Sequence, residues 1–366
     1  MMMSTDGAIA ITALGMATAL APNMPDSCAA FRAGIRRASD LGTVDPGEDA
    51  ALGEEPIAAC RAAYLAEGYT AGAKVVLLGG IALSDLLLRG CGRPAGAAWA
   101  RTGLVLHLSD CSLLDAFSEP PEDEEDELPS AAWRKECAAL VPRMLAGSGW
   151  NIAPKDRYLS FGGHAGFVAA LQTAAGMVAG GEVDRCLAGA VDSCVDSEFL
   201  LAAAMKGVLK TAANPVGFVP GEAAAFVLLE RAADPSAMRL RCGPVIDPAG
   251  EVPDGAALAR AIRELPGARA GKPEIGVVIG DLNGSEYRAR NWGSALARLR
   301  NAPLSDAPLW IPALGFGETG SAAGAVGLCL AARALERGHA RGAALAWLSD
   351  DNGAAAAFTI ASGQET

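Results

Sequence analysis

The sequence predicts an α/β protein assembled from two duplicated halves, and three observations carry that expectation. Apolar segments of strand length alternate with long apolar helices, the arrangement that gives sheets covered on both faces. A helix-glycine-strand unit occurs twice, at a constant offset of 158 residues. The composition, 51% hydrophobic with 44 glycines but only 5% aromatic, calls for a core of small side chains on closely packed backbones.

The elements follow in chain order. Ala8 to Leu14 is a short apolar segment ending at Gly15, and Ser27 to Ile35 follows with Cys28, Phe31 and Ile35 at helical spacing: strand, turn, helix. Ala71 to Leu88 is the longest apolar run. Lys74 and Asp85 interrupt it, and charges at mid-bilayer are costly enough that no membrane span is expected. Gly103 to Leu108 reads as a strand. The acidic run Glu122 to Glu127, between Pro121 and Pro129, reads as a solvated loop, with a docking surface as the alternative. Ala165 to Ala179 is apolar nearly all round, as a helix buried on every side would be, and Gly180-Gly181 ends it. Cys186 to Val191 is then a buried strand.

In the second copy, Ala165, Gly166, Val168, Gly180, Leu187 and Ala188 fall opposite Ala323, Gly324, Val326, Gly338, Leu345 and Ala346. Each copy has an apolar strand before it, Ala8 to Leu14 in the first and Glu274 to Ile279 in the second. The division expected is a half over 1–235, with a loop and helical insertion at about 37–162, and a half over 236–366.

Several function classes are disfavoured. A net charge of −12, with no basic stripe interleaved with aromatics, lacks the footprint that a phosphate backbone requires, so nucleic acid is not an expected partner. The same acidity opposes an acidic carrier protein unless Arg288, Arg290, Arg298 and Arg300 form a local patch. Nine cysteines without a Cys-x-x-Cys pair, and no basic residue before the first apolar stretch, point to a reducing, cytoplasmic setting. No Gly-x-Ser-x-Gly elbow, phosphate-cradling loop or His-Glu-x-x-His helix occurs, so neither a cofactor nor a metal is expected.

The stretch Gly181-Glu182-Val183-Asp184 through Leu187-Ala188-Gly189, followed by Gly217-Phe218-Val219-Pro220-Gly221-Glu222-Ala223-Ala224-Ala225, resembles two signatures of the β-ketoacyl-acyl-carrier-protein synthases. The resemblance runs from about Ala8 to Ile360 and is weakest from Arg37 to Gly162. It implies the thiolase fold: five layers, α-β-α-β-α, from two duplicated halves with a site between them. In that family a condensing cysteine opens the first buried helix, and counting back from Leu187 places that position at His164. The family's first histidine is matched by Asn283, in Leu282-Asn283-Gly284-Ser285-Glu286. Its second is matched by Glu318, in Gly315-Phe316-Gly317-Glu318, with Ala313 at the family's lysine. Asp350-Asp351-Asn352-Gly353 matches the family's C-terminal glycine-rich turn loosely.

Condensation needs a thiol nucleophile and donors for the developing oxyanions, and His164, Asn283 and Glu318 form no acyl-thioester. The resemblance therefore implies a non-condensing relative, a pseudoenzyme. A buried imidazole near a helix N-terminus is expected to stay neutral, with Glu318 pulling the other way if the two touch. Cys186 and Cys194 read as structural thiols rather than substitutes.

Stretches such as Asp281-Leu282-Asn283-Gly284 and Gly317 to Gly324 are similar to a divergent bacterial branch often encoded beside type VI secretion components. Three roles follow: a dimeric scaffold or adaptor for a protein client, or else a binder of an acyl or pantetheine-type ligand that does not react; a chain-length-factor-like partner of an active synthase; or a residual acyltransferase or hydrolase using His164 with Glu318. The family resemblance also implies a homodimer, or a heterodimer with a thiolase-fold paralogue, through the strand Leu187 to Val191 as an exposed edge.

Overall fold

The computed structural model describes residues 9–44, 55–91, 101–119, 127–248, 254–266, 274–299, 304 and 306–363. Most of the acidic run, Glu122 to Asp126, lies outside them, as do Arg300 and the first eight residues. In the first half the strands are β1 (Ile9–Thr18), β2 (Ala38–Val44), β3 (Glu55–Cys60), β4 (Thr102–Leu108), β5 (Arg157–Phe161), β6 (Arg185–Ser193) and β7 (Glu222–Arg231). The second contributes β8 (Met238–Cys242), β9 (Ile275–Gly280), β10 (Leu309–Trp310), β11 (Ala343–Ser349) and β12 (Ala355–Ala361). The helices are α1 (Met24–Arg32), α2 (Ala63–Ala66), α3 (Ala71–Leu86), α4 (Ser112–Asp115), α5 (Pro129–Ser148), α6 (Gly166–Gly180), α7 (Ser197–Met205), α8 (Ala256–Arg263), α9 (Glu286–Arg298), α10 (Ala313–Phe316) and α11 (Ala323–Glu336).

Ten strands hydrogen-bond in the order β10-β9-β11-β12-β8-β1-β7-β6-β4-β5, and β2-β3 form a separate hairpin. The order is one five-strand pattern used twice. Within β5-β4-β6-β7-β1 the first two junctions are parallel and the last two antiparallel, and β10-β9-β11-β12-β8 repeats this. The halves join where β1 meets β8 over Ala10↔Arg239 and Ile11↔Met238. The 158-residue offset holds in three dimensions, since β6 opens at Arg185 and β11 at Ala343.

The strand alternation places three separate cores between five layers. On β6, Cys186, Ala188 and Ala190 face the central helices α6 and α11, while Leu187 and Val191 face α3 and α5. On β11, Ala344, Ala346 and Leu348 join the central core, while Leu345 and Trp347 face α8 and α9. This is the five-layer α-β-α-β-α thiolase architecture, with α6 and α11 as the shared middle layer. Among the described residues no helix is long and apolar enough to cross a membrane, and α3 instead packs on β1, β6 and β7.

Three details differ from the sequence reading. The counterpart of β9 is β4, not the N-terminal strand, whose counterpart is β8. β1 also runs on past Gly15 to Thr18; this glycine is needed for a close approach rather than a turn, because a Cβ there would lie 2.1 Å from the Ala82 carbonyl oxygen of α3. Moreover, Leu187 to Val191 is no edge, since β6 is paired on both sides, by β4 and β7. The terminal strands are β5 and β10, and β5 carries Tyr158 at 51% exposure.

Candidate functional site

The duplication brings His164, Asn283 and Glu318 together. His164 ends the turn between β5 and α6, Asn283 follows β9, and Glu318 lies between α10 and the 3-10 turn Gly320–Ala322 that leads into α11. The Gly217-to-Gly221 loop fixes Glu318 through its backbone: the Glu318 N–H donates to the Val219 carbonyl at 2.7 Å, and the Gly221 N–H donates to the Glu318 carbonyl at 2.8 Å. Glu222, next in that loop, is buried. It accepts the Ala62 N–H at 2.7 Å and the Ser193 hydroxyl at 2.9 Å, and meets Lys74 Nζ at 3.3 Å.

The His164 ring lies between two carboxylates. Nδ1 is 2.8 Å from Asp281 Oδ1, and Nε2 is 3.0 Å from Glu318 Oε1. Asp281 also accepts Arg288 Nη1 at 2.8 Å and the Ser349 N–H at 2.9 Å. Glu318 further accepts Asn283 Nδ2 at 2.5 Å and the Gly320 N–H at 2.8 Å. Arg288 Nη1 also approaches His164 Nδ1, at 2.9 Å. Nδ1 cannot donate to Asp281 and accept from Arg288 at once, and the carboxylate contact decides the assignment: both ring nitrogens donate, and the ring is an imidazolium. Four buried groups, two cationic and two anionic, thus neutralise one another.

The expectation of a neutral His164 is therefore corrected. Burial and the nearby Arg288 oppose its charge, but Asp281 and Glu318 outweigh them and its pKa is pushed up to about 10. Burial acts to raise the Glu318 pKa, yet His164, Arg288 and Asn283 hold that carboxyl well below the usual range. Arg288 was a candidate for an exposed basic patch with Arg290 and Arg298. Instead it is buried against Asp281, while Arg290 pairs with Glu286 and Arg298 with Asp254.

His164, Arg288 and Glu318 of this quartet, with Asn283, line a cleft of about 700 Å³. Leu113, Phe117, Trp133, Phe199, Val208 and Phe218 give it an apolar part, and the Asp350-Asp351-Asn352 turn also lines it. Of the thiols facing the cleft, burial pushes Cys111 up to about 12 and Cys194 well above the usual thiol value. Burial likewise pushes Cys186, in the β6 core, up to about 12. Among the described residues none of these three hydrogen-bonds a histidine, so the cleft holds no activated nucleophile of the thiolate kind.

Asp192 and Asp281 escaped the sequence reading as site residues. Asp192 ends β6 on the cleft wall, and burial pushes its carboxyl up to about 6 despite N–H donors from Ser321 and Ser193. Its signal was the 158-residue offset, which sets it opposite Asp350.

No protein-family model and no curated protein matches the chain. Solved structures do. The ishigamide ketosynthase/chain length factor aligns at 19% identity with a TM-score of 0.65, over 97% of this chain and 99% of that one. A type II polyketide synthase ketosynthase, bound to a hexaketide and in complex with its acyl-carrier protein, gives 14% and 0.70 over 97% and 99%. A ketosynthase in complex with its chain length factor, from Xenorhabdus doucetiae, gives 15% and 0.66 over 99% and 100%. The chain thus has the fold of thiolase-like ketosynthases and chain length factors along nearly its whole length.

Proposed function

We propose that this protein is a non-condensing, chain-length-factor-like subunit that pairs with a thiolase-fold ketosynthase and holds an acyl-type ligand in its cleft without reacting with it. The observation that carries the reading is the clamp on His164. Where condensation would need a thiol, an imidazolium is tied at both nitrogens to carboxylates. It has no free lone pair to act as a general base, and Glu318 is already occupied by His164, Asn283 and Gly320. The same closure argues against a hydrolase built on His164 and Glu318.

Two further features support pairing. β5 ends the sheet with its outer side unpaired among the described strands, and an open edge strand favours addition of another chain. The solved structures of this fold include ketosynthases assembled with chain length factors.

The test is co-expression with a cysteine-containing ketosynthase paralogue, followed by co-purification, analytical ultracentrifugation and intact-mass analysis after incubation with acyl-coenzyme A. A stable 1:1 complex in which only the paralogue gains acyl mass is the expected result. A homodimer that ignores the paralogue removes the chain-length-factor reading in favour of a scaffold, and acyl mass on this chain removes the non-condensing reading.

A further inference from the structure

Arg288 and Lys206 converge on a single carboxylate, that of Asp351. Arg288 Nη2 is 3.5 Å and Lys206 Nζ 3.3 Å from it, both long for charge-assisted bonds. Arg288 is almost wholly buried and its Nε has no hydrogen-bond partner, whereas the Asp351 side chain is 63% exposed. All three residues face the same cleft, and Phe199, Val208 and Phe218 line it with them. A buried guanidinium with one unused N–H beside a weakly held Nη2 presents the edge on which a carboxylate binds in bidentate fashion.

We infer that Asp351 occupies a carboxylate seat formed by Arg288 and Lys206, and that a ligand carrying one carboxylate and an apolar tail displaces it. The inference rests on the reading of the cleft as a non-reacting acyl pocket and names the ligand group that pocket recognises. Charge bookkeeping favours a single negative charge. With Asp351 turned to solvent, Lys206 keeps no ion pair among the described residues and Arg288 keeps Asp281, which leaves one positive charge for one anion. A dianion is opposed by Asp110, Asp192 and Asp196, which also line the cleft. The seat places the head group between Arg288 and Lys206 and directs the tail along Phe199, Val208 and Phe218. Neither Asp351 nor Lys206 is buried, so replacing them leaves the fold intact.

Calorimetric titration of the full chain with decanoate, decylamine and inorganic phosphate tests this. Decanoate is expected to bind and the other two are not. Asp351→Ala removes the internal competitor and is expected to tighten decanoate about tenfold, and Lys206→Ala to weaken it about tenfold, the lower end of the scale of one charged hydrogen bond. Preference for decylamine or for phosphate overturns the inference, as does decanoate binding that ignores both substitutions or does not occur. None of these outcomes bears on pairing with a paralogue, which the co-purification reads separately.

Discussion

Asp192 and Asp350 stand 158 residues apart and do the same task for opposite halves. Asp192, at the end of β6, accepts the Ser321 N–H at 2.7 Å in the turn that enters α11, and Asp350, just past β11, accepts the Ala165 N–H at 2.8 Å at the start of α6. Each half thus caps the central helix of the other, which couples the halves through charge-assisted bonds as well as through the shared apolar core. The glycines beside them are required. A Cβ on Gly320, where φ is +53°, would lie 2.2 Å from Asp192 Oδ2, and one on Gly163 would lie 2.5 Å from Asp350 Oδ1.

The two caps are therefore expected to matter equally. Asp350→Ala leaves the Ala165 N–H unbonded and should cost about 1–3 kcal/mol, as should Gly320→Ala through strain against Asp192. Urea unfolding checks both, and a cost near zero for either would mean that the cross-caps do not hold the halves together.

Asp192 also predicts a pH dependence. Its folded pKa of about 6 exceeds the ordinary carboxyl value of 3.8, so between about pH 4 and pH 6 the unfolded chain releases the proton first and stability falls as pH rises. His107 works in the opposite sense over the same range. Burial lowers its pKa to about 4, so its contribution is lost as pH falls. Comparing variants separates the two: Asp192→Asn keeps an acceptor for the Ser321 N–H, and should melt higher than the parent at pH 8 and at the same temperature or lower at pH 4. An unchanged difference across that range would place the proton elsewhere.

His164 governs the alkaline side. Its folded pKa of about 10 lies above the ordinary 6.5, so its contribution is complete below about pH 6.5 and is lost as pH climbs toward 10. His164→Ala leaves Asp281 and Glu318 as buried carboxylates deprived of a shared cation, at a cost of about 3–5 kcal/mol at pH 7. Melting curves from pH 6 to 10 should converge for parent and variant at the high end. A constant gap would mean that the ring is neutral throughout.

How far the sequence disclosed this site depends on what each signal encodes. The offset between Arg185 and Ala343 was visible because apolar periodicity is local, and it set the fold. The pairing of β4 with β6 was not visible, because register between strands so far apart in the chain leaves no mark on either. His164, Asn283 and Glu318 could be aligned by motif, but the charge of His164 could not be read. It depends on Asp281, which opens the Asp281-Leu282-Asn283-Gly284 stretch yet carries nothing that marks it as a partner, and on Arg288, which looked like surface charge. The two charges that broke the Ala71-to-Leu88 run proved informative in a way that hydropathy only hinted at: both are buried and both join elements. Asp85 accepts the Met24 N–H of α1 at 2.8 Å and the Met16 N–H of β1 at 3.2 Å.

Lys74 supplies the last prediction. It enters from α3 with its side chain 8% exposed, and it meets Glu222 at 3.3 Å, Asp196 at 3.4 Å and the Ser193 hydroxyl at 3.3 Å. Glu222 is more deeply buried than its partner, and its remaining bonds, to the Ala62 N–H and to Ser193, do not offset a full charge. Lys74→Met should thus cost about 3–5 kcal/mol, because the carboxylate is left behind, whereas adding Glu222→Gln to it should recover most of that loss, because a neutral amide still accepts from Ala62. Denaturant unfolding of the two single variants and the double variant gives the coupling directly. If the double variant lost the sum of the two single losses, Lys74 and Glu222 would act independently, and the contact between α3 and the Gly217-to-Glu222 loop would owe its stability to packing alone.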